Sequence, residues 1–271
     1  MMKTRKRFGQ HFLEPAWVRK LLDVVHARPD DVFLEIGPGL GALTLPLAPR
    51  VARLLAIEID RDLASNLARV APANVRVVTA DFLDADLRGL LPAGATPVRV
   101  VGNLPYNASS PILFRLLSAA DEGRFLSDAT LMLQREVADR IAARPGGKDY
   151  GVLSVLTQLR ADVTRLLVLP PGAFRPAPRV TSAVLHLAFR PPNVTVRDPA
   201  LLERMVRGIF SHRRKTLGNA LREFADAHGR PAVEALAKAG IDPRRRPETL
   251  GLSELAALTE VFASGDRPDV L

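Results

Sequence analysis

The sequence predicts an α/β fold, with an open, largely parallel sheet and an appended hairpin over residues 1–190 and a small all-α unit over 191–271. Three observations predict it. Short apolar runs alternate with stretches of helical spacing, the pattern of βαβ units. Glycine or polar residues recur just after those runs, where open α/β sheets bind ligands. Beyond about residue 190 the strand-like runs stop and only helical spacing remains.

Val32–Ile36 reads as the first clear strand and ends in Gly37-Pro38-Gly39-Leu40-Gly41. Ala42–Pro49 reads as the helix after it, Leu54–Ile59 as a second strand and Arg61–Val70 as a second helix. Val75–Thr79 and Val98–Val101 are further strands, stopping at Asp81 and at Asn103-Leu104-Pro105-Tyr106. Ser110–Ser118 carries helical spacing, and Ala129–Gln134 is a strand running into a helix over Glu136–Ala142. After the break at Pro145-Gly146-Gly147 comes a helix over Val152–Leu159. Two apolar runs, Val163–Leu169 and Ser182–Phe189, are joined by the proline-rich Pro170–Arg179 and read as a hairpin added to the sheet. Pro191-Pro192 and Asp198-Pro199 mark a linker. Leu201–Phe210, Lys215–Ala227, Ala232–Ala239 and Ser253–Ala263 then repeat apolar residues at helical intervals.

Composition narrows the function classes. With 47% hydrophobic and 25% charged residues, the chain has enough apolar content for a substantial core. It contains no cysteine, which excludes disulfides, zinc–thiolate sites and thiol nucleophiles and fits a reducing cytoplasm. No apolar run approaches the roughly 18–20 residues of a membrane span, and the basic stretch Met1–Gln10 leads into no signal core. A cytoplasmic protein without membrane contact is expected. The five histidines are scattered without ligand spacing, so no metal site is expected. A net charge of +9 points to a polyanionic partner or merely to an Arg-rich composition, and the placement of the charge decides between them.

The glycine cluster at a strand end lets backbone approach a ligand at a helix N-terminus. By itself it also fits a dinucleotide fingerprint or a turn with no ligand. Glu58 closes the second strand, where a carboxylate accepts ribose hydroxyls. Asp81 closes the third, placed to take an adenine amino group with Phe82 against the ring. Together these strand ends define a pocket for an adenosine with a small, non-phosphate tail. Glu35 would repel the pyrophosphate of NAD but suits a sulfonium and an ammonium, which favours S-adenosylmethionine.

Asn103-Leu104-Pro105-Tyr106 addresses a different partner. The lone pair of adenine's exocyclic amine is delocalised into the ring. The Asn103 side-chain oxygen and a backbone carbonyl held by the Pro105 turn can accept its N–H groups, favouring a pyramidal nitrogen. Tyr106 can stack on a base turned out of its helix. Phe174, on the loop between the hairpin strands, is either a second stacking face or an anchor packed in the core.

At these residues the chain resembles the KsgA-type ribosomal RNA adenine dimethyltransferases, over nearly its full length. Seven ordered segments carry the resemblance: Arg7–Leu13, Glu35–Thr44, Asn103–Asn107, Gln134–Ile141, Tyr150–Val155, Phe174–Ser182 and Phe210–Asn219. It implies a Rossmann-like S-adenosylmethionine methyltransferase sheet, with the cofactor at His11, Leu13, Gly37, Glu58, Asp81 and Asn103, to which the reading of the strand ends adds Gly39 and Phe82. The family usually carries Asn where His11 stands. The resemblance further implies dimethylation of two adjacent adenosines in the 3′-terminal hairpin of 16S ribosomal RNA, in the 30S subunit or its precursor, and a link to kasugamycin resistance.

Charge placement supports an RNA partner. Arg5, Lys6 and Arg7 form a basic arm with Lys3; Arg213, Arg214 and Lys215 lie at an expected helix start; Arg244-Arg245-Arg246 occupy a loop. Such clusters either contact phosphates along an RNA helix or are solvated faces. A monomer is the default expectation. Three rival readings are weaker. A large-subunit adenine methyltransferase of the erythromycin-resistance type shares the core motifs but does not match the Phe210–Asn219 run. An assembly factor without catalysis has no need of Glu58, Asp81 and the Asn103–Tyr106 turn. An NAD oxidoreductase lacks a catalytic His, Tyr or Lys constellation.

Overall fold

The computed structural model describes residues 12–91, 94, 97–122 and 124–263. These fall into two compact units. One is the chain up to Ala138 together with Ala161–Pro191, and the other is Asp139–Arg160 together with the chain from Pro192 onward.

The first unit begins with β1 (Phe12–Leu13) and α1 (Pro15–Val25). It continues through β2 (Val32–Ile36), α2 (Thr44–Leu47), β3 (Arg53–Glu58), α3 (Arg61–Val70), β4 (Val75–Thr79) and α4 (Leu87–Leu90). Next come β5 (Val98–Asn103), α5 (Ser109–Asp121), β6 (Leu126–Gln134) and the start of α6 (Arg135–Ile141). After α7 (Val152–Arg160), which belongs to the second unit, the chain returns with β7 (Ala161–Leu169), β8 (Phe174–Arg175) and β9 (Ser182–Phe189).

Seven strands form one mixed sheet in the order β4-β3-β2-β5-β6-β9-β7. The strands from β4 to β6 run parallel; β9 is antiparallel to both β6 and β7. Strands such as Phe33-Leu34-Glu35-Ile36 are buried throughout, as both-face coverage demands of a parallel strand. The expected hairpin is present, with its second strand inserted against β6 so that β7 becomes the edge. The order reverses beside β2, whose neighbours are β3 and β5, and this opens a crevice at the carboxyl ends of those strands.

Local chemistry sets several boundaries. The helix expected over 42–49 is shorter: α2 ends at Leu47, because Pro49 has no N–H to continue it, and a 3-10 turn follows. α1 packs Val18, Leu21, Leu22 and Val25 into a core cluster with Phe33, Leu54, Val101 and Val184. Its last carbonyls, of Val25 and His26, accept from the Arg99 guanidinium at 2.9 and 3.2 Å.

The second unit is helical, with α7, α8 (Pro199–Ser211), α9 (Leu217–Ala220), α10 (Arg222–Ala227), α11 (Ala232–Lys238) and α12 (Leu252–Ala263). Residues 139–160 group here rather than with the sheet, although in sequence they precede the linker. Tyr150, fully buried, meets Phe210 of α8 edge-on at 6.0 Å between ring centres. The helix expected over 215–227 is two, α9 and α10, and Arg213–Lys215 lie in the turn before α9 rather than on a helix. Among the described residues no helix is long and apolar enough to cross a membrane.

Candidate active site

A cavity of about 300 Å³ opens at the carboxyl ends of β2, β3, β4 and β5, in the size range of small-ligand sites. The turn after β2 forms one wall. Gly37 and Gly39 have φ of +66° and +58°, a region that side chains with a Cβ rarely adopt. Open space lies where a Gly37 Cβ would stand, so a ligand can approach the backbone closely. Glu58, only 5% exposed, accepts the Gly39 N–H on Oε2 and the Asp60 N–H on Oε1, both at 2.9 Å. Its carboxylate therefore braces the glycine turn as well as facing the cavity. Asp81 Oδ1 accepts the Leu83 N–H at 2.9 Å, and buried Phe82 lies beside it in the wall.

Glu35 lines the cavity from within β2 and is almost wholly buried. Among the described residues its Oε2 has no hydrogen-bond partner. Burial pushes its pKa up to about 7; the nearby Thr44 hydroxyl opposes this and the Glu58 carboxylate adds to it.

The opposite wall is built from the end of β5. At Gly102 a Cβ would stand 2.9 Å from the Ile36 carbonyl oxygen, so β5 and β2 approach closely only because this residue has none. Beyond it, the Leu104 N–H donates to the Met132 carbonyl at 3.1 Å, and the Ala108 N–H to that of Pro105 at 3.0 Å. The Ser109 hydroxyl donates to the Tyr106 carbonyl at 3.2 Å and starts α5. The half-buried Tyr106 has its hydroxyl 2.9 Å from the Ser182 Oγ. Burial raises the phenol pKa against the opposing Ser182 bond, so Tyr106 is neutral and no proton acceptor.

The structure brings Leu13, Gly37, Gly39, Glu58, Asp81, Phe82, Asn103, Leu104, Pro105 and Tyr106 to this one cavity. Leu21, Ile59 and Met132 also line it and were not read from the sequence; single apolar residues in helix or strand positions carry no local signal. Phe174 is a correction. It does not line the cavity: at 2% exposed it is packed in the core cluster with Leu13 and Val18, and β8 pairs it with Leu13. It is the core anchor of the two alternatives, supporting Leu13 from behind. His11, Arg5, Lys6 and Arg7 lie outside the described residues.

In the helical unit, three basic segments separated in sequence converge. Arg213 donates to the Lys148 carbonyl at 2.6 Å, the Leu217 N–H to that of Arg245 at 2.7 Å, and the Gly146 N–H to that of Glu248 at 2.7 Å. Arg144, Lys148, Arg214, Lys215, Arg244 and Arg246 are exposed, Arg244 being paired with Asp242, and the less exposed Arg245 is tied to Glu254 and Thr249. Lys148 stands in a glycine-rich stretch that reads in the sequence only as a break.

Residues 1–261 match the family described as ribosomal RNA adenine dimethylase. The chain is 46% identical to the ribosomal RNA small subunit methyltransferase A of Aromatoleum aromaticum, covering 97% of this chain and 95% of that one. It is 48% identical to the protein of the same name from Geobacter metallireducens, with 96% of each covered. Among solved structures, a dimethyladenosine transferase from Plasmodium falciparum superposes with a TM-score of 0.76 at 24% identity, over 93% of this chain and 98% of that one. The 23S rRNA methyltransferase ErmE superposes with a TM-score of 0.64 at 28% identity, over 93% of this chain and all of that one.

Proposed function

The chain belongs to the ribosomal RNA adenine dimethylase family and is a methyltransferase, and from that premise we propose that it transfers methyl groups from S-adenosylmethionine to the exocyclic amines of two adjacent adenosines in the 3′-terminal hairpin of 16S ribosomal RNA. The observation that carries this reading is the meeting, in one cavity, of the glycine turn, Glu58 and Asp81 with the Asn103–Tyr106 turn.

The donor side fits S-adenosylmethionine. The Oε2 of Glu35, without a hydrogen-bond partner among the described residues, suits an ammonium or sulfonium, and the open face of Gly37 admits a ligand against the backbone. Glu58 and Asp81 would take the ribose hydroxyls and the adenine amino group, with Phe82 and Leu13 against the ring. When bound, the cofactor supplies an electrophilic methyl group, so the chain's task is orientation rather than activation.

On the acceptor side, Asn103 and a backbone carbonyl accept the two N–H groups of the target amine. The Pro105 carbonyl is already engaged by Ala108, which points to that of Leu104. Holding both N–H groups turns the nitrogen lone pair out of conjugation and toward the donor. Tyr106 provides the face on which the extruded base stacks. Arg213, Arg214 and Lys215, with Lys148 beside them, contact phosphates of the RNA helix.

The small-subunit assignment draws on the relatives at 46% and 48% identity, both named for that subunit, against 28% for the large-subunit enzyme. The test uses labelled cofactor and under-modified small-subunit particles, with sites mapped by primer extension. Two methyls on each of two adjacent adenosines near the 3′ end are expected; label confined to large-subunit RNA would overturn the assignment. Asn103→Ala is expected to lower transfer roughly 10²- to 10³-fold while RNA binding persists. Unchanged turnover would remove Asn103 from the chemistry.

A further inference from the structure

Tyr106 sits in a turn, outside any strand, and a stacking face is useful only if its tilt is fixed. The fully buried Ser182 lies at the opposite extreme of rigidity. It opens β9, where it is paired on one side with Gln134 of β6 and on the other with Leu169 of β7. The residue before it is fastened as well, the Thr181 carbonyl accepting the Arg135 N–H at 2.9 Å.

A buried serine hydroxyl is ordinarily satisfied by nearby backbone. Here, among the described residues, the Ser182 Oγ makes one hydrogen bond, and it goes to a side chain 76 residues away, the Tyr106 hydroxyl at 2.9 Å. An alanine would pack in the same place without leaving a polar atom to satisfy, so the strand itself has no use for this oxygen. The ring of Tyr106 is thereby held at both ends. Its backbone is fixed by the turn bonds of Pro105 and Ser109, and its far edge by the sheet.

We propose that Ser182 is a positioning residue for methyl transfer, fixing the plane of Tyr106 from the start of β9, where it is paired on both sides, so that the acceptor base is stacked in register with Asn103. The inference rests on the reading of Tyr106 as the stacking face. Ser182 touches neither substrate nor cofactor. It acts by removing the swing of the ring about its side-chain bonds, which a preorganised site cannot tolerate.

The test compares Ser182→Ala, Tyr106→Phe, the double variant and Tyr106→Ala in the full-length protein. Melting temperature and cofactor affinity are measured as controls for folding and for the donor site. Ser182→Ala and Tyr106→Phe remove the same bond from its two ends. Each is expected to lower kcat roughly three- to tenfold, the effect of one lost hydrogen bond, with KM for the RNA little changed. The double variant is expected to be no slower than the slower single one. Full activity in both single variants, or losses that multiply in the double, would overturn the role of Ser182. A fluorescent adenine analogue at the target position should be less quenched in Ser182→Ala, and wild-type quenching would likewise count against it. Tyr106→Ala separates the two readings. If it retains activity, the stacking role itself fails; if it is inactive while Ser182→Ala is fully active, only the positioning role fails.

Discussion

Glu35 holds a carboxyl where ionisation is costly and a cationic ligand is expected. Its pKa of about 7 stands above the 4.5 of an unperturbed carboxyl, because burial disfavours the charged form. The native state thus holds this proton more tightly than the unfolded chain does. Its contribution to stability is complete below about pH 4.5 and is lost as the pH rises toward 7. Glu35→Gln lacks that loss, so in ligand-free calorimetric melts its advantage over the parent should grow between those values and then level off; parallel curves would contradict it. Binding of a cation should reverse the preference and release a proton near pH 6, read as a buffer-dependent heat that Glu35→Gln abolishes. The cavity residues Glu35, Glu58, Asp81 and Asn103 were legible because each stands at or close to the carboxyl end of a strand, where sequence position and spatial position coincide. Phe174 was not, since the side of the loop its ring takes is decided by packing with Leu13, far back in the chain. Ser182 gave no sign for the same reason.

At the scale of elements, α1 shows how a helix unmarked in the sequence is held. It has no side-chain N-cap and no basic residue in its last turn. Its C-terminus is instead closed from β5 by Arg99, which also pairs with Asp31 at 2.8 Å and Asp128 at 2.9 Å and is 15% exposed. Arg99→Met would remove the guanidinium from two carboxylates, which keep the Arg28 N–H and the Ser127 hydroxyl, and from two carbonyls at the end of α1, at a cost of about 3 kcal/mol. Urea titration should show that loss, accompanied by weaker cofactor binding because α1 carries Leu21 into the cavity wall. A wild-type midpoint would argue that water replaces the guanidinium. Where periodicity is complete the sequence marks the boundary to the residue, as for β4 and α3, both bounded by clear stop signals. Two-residue strands such as β1 and β8 have no period to detect. Lys215–Ala227 reads as one helix because apolar spacing continues through Leu221, although the chain turns there between α9 and α10.

For the whole molecule, the charge of +9 acquires meaning from its distribution. The segments at 144–148, 213–215 and 244–246 are brought together in the helical unit by the Arg213 side chain on the Lys148 carbonyl and by the backbone bonds Leu217 to Arg245 and Gly146 to Glu248, an arrangement that sequence distance concealed. Reversing Arg213 and Arg214 to glutamate should weaken RNA binding and flatten its dependence on log salt by roughly 0.9 for each phosphate no longer neutralised. An unaltered slope in filter-binding titrations would place the RNA elsewhere. The fold class was legible because parallel strands buried on both faces read as plain apolar runs; the grouping of 139–160 with the helical unit was not, because no linker signal announces it. The short ladder between Leu13 and Phe174 has a temporal consequence. A ribosome making this chain releases one wall of the donor pocket almost at once, but the strand that seats it emerges more than 150 residues later. The pocket's earliest-written wall is therefore its last to close, and a nascent chain arrested before residue 175 should bind no cofactor.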